Sequence, residues 1–165
     1  MAGMLYQLWQ VVMKGADVRP SCRLESEQVM FRSILIPIDL GHVEKSKQAI
    51  ETVTRIAGKN TKVKLVNIVG DVPTFAAAEL PGGVIEKAKE SAQATLQNLE
   101  GVDALKPEFE VRSGTPATAI LAAADESGAD LIVIGSHQPG MMDYLLGSTA
   151  ARVVRHASCS VLVVR

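Results

Sequence analysis

The chain has 165 residues, 47% hydrophobic and 21% charged, which excludes a disordered polymer and suits one domain with a real core. Its formal net charge of −1 leaves no broad basic field for nucleic acid or an anionic membrane. An aromatic content of 4% also leaves no base-stacking surface.

The first segment, Met1 to Val29, carries Leu5, Tyr6, Leu8, Trp9, Val11 and Val12, interrupted by Gln7 and Gln10. It is too short to span a bilayer and has no basic residue ahead of its apolar part, so it does not read as a signal peptide. Residues 1–29 are expected to be a disordered or non-native extension, with Met30 as the working start and 30–165 as the domain. The rival reading is a short amphipathic arm that docks on a partner.

From Arg32 the pattern becomes regular. Ser33 to Asp39 is a short apolar run, as suits a strand buried on both faces, with Pro37 expected near its C-terminal end. A helix follows, with Ala49, Ile50, Val53, Ile56 and Ala57 on one face and Gly58 as its stop. Val63 to Val69 is the second strand. After a loop from Gly70 to Gly83, a second helix carries Ile85, Ala88, Ala92, Leu96 and Leu99. Phe109 to Arg112 alternates, which predicts an exposed edge strand. Thr115-Pro116 opens a third helix, with a stripe of Ala117, Ile120, Leu121 and Ala124 and a stop at Gly128. Leu131 to Ile134 is a buried strand, a fourth helix runs from about Ser148 to Ala157, and Ser160 to Val164 is the last strand.

This alternation predicts an α/β fold: a single open parallel five-stranded sheet, strand order 3-2-1-4-5, with helices on both faces. Ligands of such sheets bind beyond the strand ends at the switch point, here between the first and fourth strands, where Asp39 and Gly135 stand.

The segment "IGSHQPGMMDYLLGSTA" joins that fourth strand to the fourth helix, with Gly-Ser at both ends. Gly135 and Gly147 permit close backbone approach to a phosphate. The helix start at Ser148 adds unpaired N–H groups, and Ser136, Ser148 and Thr149 add hydroxyls. The alternative is plain: Gly135 ends a strand, Gly147 makes a turn and Ser148 caps a helix. Neither G-x-x-x-x-G-K-[ST] nor G-x-G-x-x-G occurs. His156 and Cys159 lie three apart, but no further ligands are spaced to complete a zinc site. The two cysteines, Cys22 and Cys159, imply no disulfide framework and fit a cytoplasmic protein.

The chain from Met30 to Arg165 resembles the universal stress protein family, particularly its short bacterial F-type members. The resemblance is densest in "SHQPGMMDYLLGSTAARVVRHASCSVLVVR", and "ILIPIDL" and "SGTPATAILAAADESGADLIVIG" match the other signposts. It implies a Rossmann-like fold of the adenine nucleotide alpha hydrolase type. Nucleotide-binding members carry spaced glycines ending in Gly followed by a hydroxyl residue. Gly135, Gly147 and Ser148 match; Gln138 stands at the middle Gly, and the loop is one residue shorter. The resemblance implies that Asp39 reads an adenine edge beside the backbone at Pro37 and Ile38. It places Ile68 against the base and Ser136 and His137 around the first Gly. From the residues alone, Asp39 also reads as a turn or capping carboxylate.

Two functions are expected to compete. One is a cytoplasmic stress-response protein binding ATP or AMP, with or without Mg, as a binder or switch. No general base or Lys/Arg clamp is visible, so slow ATP hydrolysis is the most chemistry expected. The other is a dimeric interaction module that binds no nucleotide, which Gln138 favours. A nucleotidyl transferase is weaker, because "PIDLGHVEKS" stands where its glycine-serine loop would follow the first strand. The apolar run "CSVLVVR" at a sheet edge and the resemblance together predict a homodimer through Ser160 to Val164.

Overall fold

A computed structural model describes residues 31–70, 83–136 and 147–164. The leader and the middle of the glycine-flanked loop, with His137 and Gln138, lie outside the described residues. The elements are β1 (Ser33–Ile38), α1 (Val43–Ile56), β2 (Lys62–Val69), α2 (Val84–Gln97), β3 (Glu108–Ser113), α3 (Pro116–Ser127), β4 (Leu131–Gly135), α4 (Ser148–His156) and β5 (Ser160–Val164). The five strands form one parallel sheet in the order β3-β2-β1-β4-β5, as the sequence predicts.

Successive residues of β1 serve opposite faces. Ile34, Ile36 and Ile38 pack with Ala49, Ile50 and Val53 of α1 and Leu96 of α2. Leu35 packs on the other face with Ala117, Ile120 and Ala124 of α3 and Val153 of α4. Because helices cover both faces, the run needs no polar alternation.

The helix ends follow their local chemistry. Pro116 is the first residue of α3, after Thr115, and Gly128 closes the helix at φ 59, in the left-handed region. The Thr115 side chain makes no capping hydrogen bond, so the preset φ and missing N–H of Pro116 mark the start. The stop of α1 comes one residue before Gly58, at an extended Ala57. The Gly58 N–H donates instead to Thr61 Oγ1 at 3.0 Å.

The stripe predicted for α2 is only partly buried. Leu96 is fully enclosed, whereas Ile85 and Ala92 are half-buried and Ala88 is exposed. Leu99 is buried but follows the helix. The helix packs on β2 and β3, and among the described residues β3 is the sheet edge, with no further strand beyond it. Spacing reveals a helix's apolar face, but not how far along its length that face has sheet beneath it.

One feature of register shapes the site. β1 pairs with β2 along its whole length, but with β4 only at Ile34 and Leu35. Past that point β1 and β4 part, and Pro37 lies in the parted segment. Its missing N–H therefore interrupts no β1–β4 ladder. Among the described residues, no helix is long and apolar enough to cross a membrane.

Candidate functional site

Where β1 and β4 separate, a cavity of about 460 Å³ opens at the C-terminal strand ends. That volume lies within the roughly 300–1,000 Å³ usual for small-molecule sites. Its apolar walls are Pro37 and Ile38 of β1, Ile68 of β2, Pro116 and Ile120 of α3, and Ile134 of β4. Its polar groups come from two directions. Asp39, His42, Ser46 and Asn67 stand on the α1 side, and the first turn of α4 supplies Ser148 and Thr149.

Gly147 is the residue before α4, and its carbonyl accepts the first helical bond, from Ala151 N–H at 2.8 Å. The N–H groups of Ser148, Thr149 and Ala150 precede that bond and have no intrahelical partner. Gly147 has no side chain to cap them, and all three residues line the cavity. Positive potential at a helix N-terminus falls on the same space. Gly147 has φ −52 and ψ 148, a conformation open to any residue. Glycine is therefore not required there by its backbone angles. Ser148 is the first helical residue, so capping is not its role.

Asp39 performs the turn role considered for it and lines the cavity as well. Its Oδ1 accepts Gly41 N–H at 2.9 Å, its Oδ2 lies 2.8 Å from His42 Nδ1, and its carbonyl accepts His42 N–H at 3.0 Å. This is the local self-bonding typical of Asp in turns. A Cβ at Gly41 would stand 3.2 Å from Asp39 Oδ1, so the glycine leaves room for that carboxylate.

Two buried polar residues complete the α1 side. Asn67 Nδ2 donates to Ile38 O at 2.9 Å, and Ser46 Oγ approaches Asp39 O at 3.4 Å. Sequence reasoning passed over Ser46, Asn67 and His42. Two signals were present: a serine on the apolar stripe of α1, and an asparagine inside an otherwise β-favouring run.

Of the predicted site residues, Pro37, Ile38, Asp39, Ile68, Gly135, Gly147, Ser148 and Thr149 all line this cavity. Ser136 does not line it. Ser136 is buried, and its N–H donates to Val164 O at 2.8 Å, extending the β4–β5 ladder. His137 and Gln138 fall outside the described residues. The described lining contains no Lys or Arg. Among the described residues, no group of three or more His, Cys, Asp or Glu is placed to hold a metal. Burial pushes the Cys159 thiol up, and Asp125 and Asp130 add to the shift, so it is no activated nucleophile.

Comparison with known proteins gives a consistent picture. The model of the universal stress protein family matches residues 30–165. Universal stress protein G of Salmonella typhimurium is 30% identical over 142 residues, covering 82% of this chain and all of its own length. The solved structure of hypothetical protein MJ0577 matches with a TM-score of 0.68 and 26% identity, over 82% of this chain and 96% of that one. A universal stress protein solved in complex with cAMP shares the fold, with a TM-score of 0.52 and 24% identity, over 82% and 97% of the two chains.

Proposed function

The chain belongs to the universal stress protein family, and from that premise we propose that it is a cytoplasmic stress-response protein that binds an adenine nucleotide, ATP or AMP. The base would lie across the ends of β1 and β2, against Ile68 and the backbone of Pro37 and Ile38. The phosphates would lie toward Gly135 and the first turn of α4, with Mg as an optional companion.

The observation that carries this reading is one cavity with two unlike ends. One end is walled by apolar side chains from β1, β2, α3 and β4; the other is a helix start with N–H groups left over. An adenine nucleotide has the same division, a flat apolar-faced base and an anionic tail. With no Lys or Arg in the described lining, phosphate charge would be met by main-chain N–H groups, hydroxyls and any accompanying metal. That suits a binder or switch better than a fast hydrolase.

Isothermal titration with Mg-ATP tests the site. Gly147→Val puts a branched side chain at the mouth of the helix start and is expected to weaken binding by tenfold or more, about 1.4 kcal/mol. A melting curve of the same variant separates a lost phosphate contact from the modest helix-start loss expected when Gly gives way to Val. Equal affinity in the two proteins would remove the phosphates from this place. We also propose a homodimer through β5, supported by its edge position and by Leu162, which is 37% exposed.

A further inference from the structure

We infer that Asn67 is a specificity-determining residue of this cavity: its side-chain oxygen accepts a hydrogen bond from an amino group on the base of the bound nucleotide. The assignment rests on the nucleotide reading above and adds to it the side chain that tells a 6-aminopurine from a 6-oxopurine.

Asn67 pairs with Ile38 in the β1–β2 register and is only 6% exposed. Its amide orientation follows from chemistry, because Ile38 O can only accept and so faces Nδ2, at 2.9 Å. The other half of the amide, Oδ1, is an acceptor, and it accepts no hydrogen bond from any described residue. Among the described residues no side-chain oxygen is both fully enclosed and without a partner. Asn67 Oδ1 therefore keeps access to open space, and the space that Asn67 lines is the cavity.

Asp39 is in a different position. Its side chain is 69% exposed, and Gly41 and His42 hold its two oxygens within its own loop. A water-exposed acceptor discriminates weakly, since water replaces any partner it loses. A nearly buried acceptor discriminates strongly, because a ligand without a matching donor leaves it unsatisfied. An exocyclic amine satisfies Asn67 Oδ1; a carbonyl at the same place on the base sets two acceptors against each other. The site should therefore take 6-aminopurine nucleotides and refuse 6-oxopurine ones.

ATP and ITP share ribose and triphosphate and differ at this edge of the base, so calorimetric titration of the full chain with each, in Mg, isolates the contact. The wild type is expected to bind ATP about tenfold or more tightly than ITP. In Asn67→Leu the ATP-to-ITP ratio should fall toward one, chiefly by loss of ATP affinity, while phosphate contacts keep ITP binding near its wild-type value. A general loosening of the fold would weaken both nucleotides together and leave the ratio unchanged. Equal wild-type affinities, or an unchanged ratio in a folded Asn67→Leu, overturn the assignment while leaving the nucleotide site standing. Binding of neither nucleotide by the wild type sinks the site and the assignment together. Should Asn67→Leu fail to fold, the smaller Asn67→Ala removes the same oxygen and carries the same ratio test.

Discussion

Arg112 shows how far a single side chain ties elements together. From β3 its guanidinium donates to Glu110 on its own strand and to both carboxylate oxygens of Glu126 on α3. The hydrogen bond from Arg112, and then its charge, hold Glu126 below the ordinary glutamate value of 4.5. A carboxyl with a lowered folded pKa contributes stability above the unfolded value and loses it as pH falls through the folded one. Arg112→Met should therefore lower the urea midpoint at neutral pH, and the gap to wild type should close as pH falls below 4.5 and through the lowered Glu126 value. A gap that stays constant with pH would mean that packing of the Arg112 stem, not ionisation, supplies the effect. At this scale the sequence was partly legible. Asp39 and Gly147 could be singled out by position, because each stands at the end of a predicted element. Asn67 stands out in "KVKLVNIV" as an amide in a β-favouring run, but the letters do not say whether that amide has a partner. That depends on the β1–β2 register, which only the folded sheet supplies.

The strands were more legible than the burial of the helices. A run of apolar residues buried on both faces is a local signal, and β1 and β4 occur where such runs stand, while β3 occurs where the letters alternate. The burial of α2 depends instead on what lies beneath it, and that is a fact about the sheet. Leu96 at the end of α2 is fully enclosed, whereas Val84 at its start is 39% exposed. Leu96→Ala should cost about 2–5 kcal/mol, within the range for emptied core leucines. Val84→Lys should change stability by less than about 0.5 kcal/mol. Denaturant unfolding of the two variants checks both values. Comparable losses would show that the whole length of α2 bears on the core. The helix start of α4 is legible for a different reason. Gly-Ser-Thr before an amphipathic stretch is a helix-boundary signal, and α4 begins at Ser148, where the sequence places it.

For the molecule as a whole, the alternation of strands and helices points to a doubly wound parallel sheet, and the strand order is β3-β2-β1-β4-β5. It puts β1 beside β4 and thereby places the cavity. The opening of that cavity was not legible, since it depends on β1 leaving β4 after two paired residues. The same order leaves β5 at an edge, with Leu162 partly exposed. Light scattering at micromolar concentration should give twice the chain mass of 17.6 kDa for the wild type, and Leu162→Glu should shift it toward monomer. A wild-type monomer would reject pairing through this strand. The central claim is that the space between the parted strands and the start of α4 holds an adenine nucleotide. A crystal structure grown with saturating Mg-ATP tests it most directly. The account predicts the base against Ile68 and Asn67, with phosphate oxygens within hydrogen-bonding distance of the Ser148 and Thr149 N–H groups. Solvent alone in that cavity, or nucleotide bound elsewhere on the chain, would contradict it.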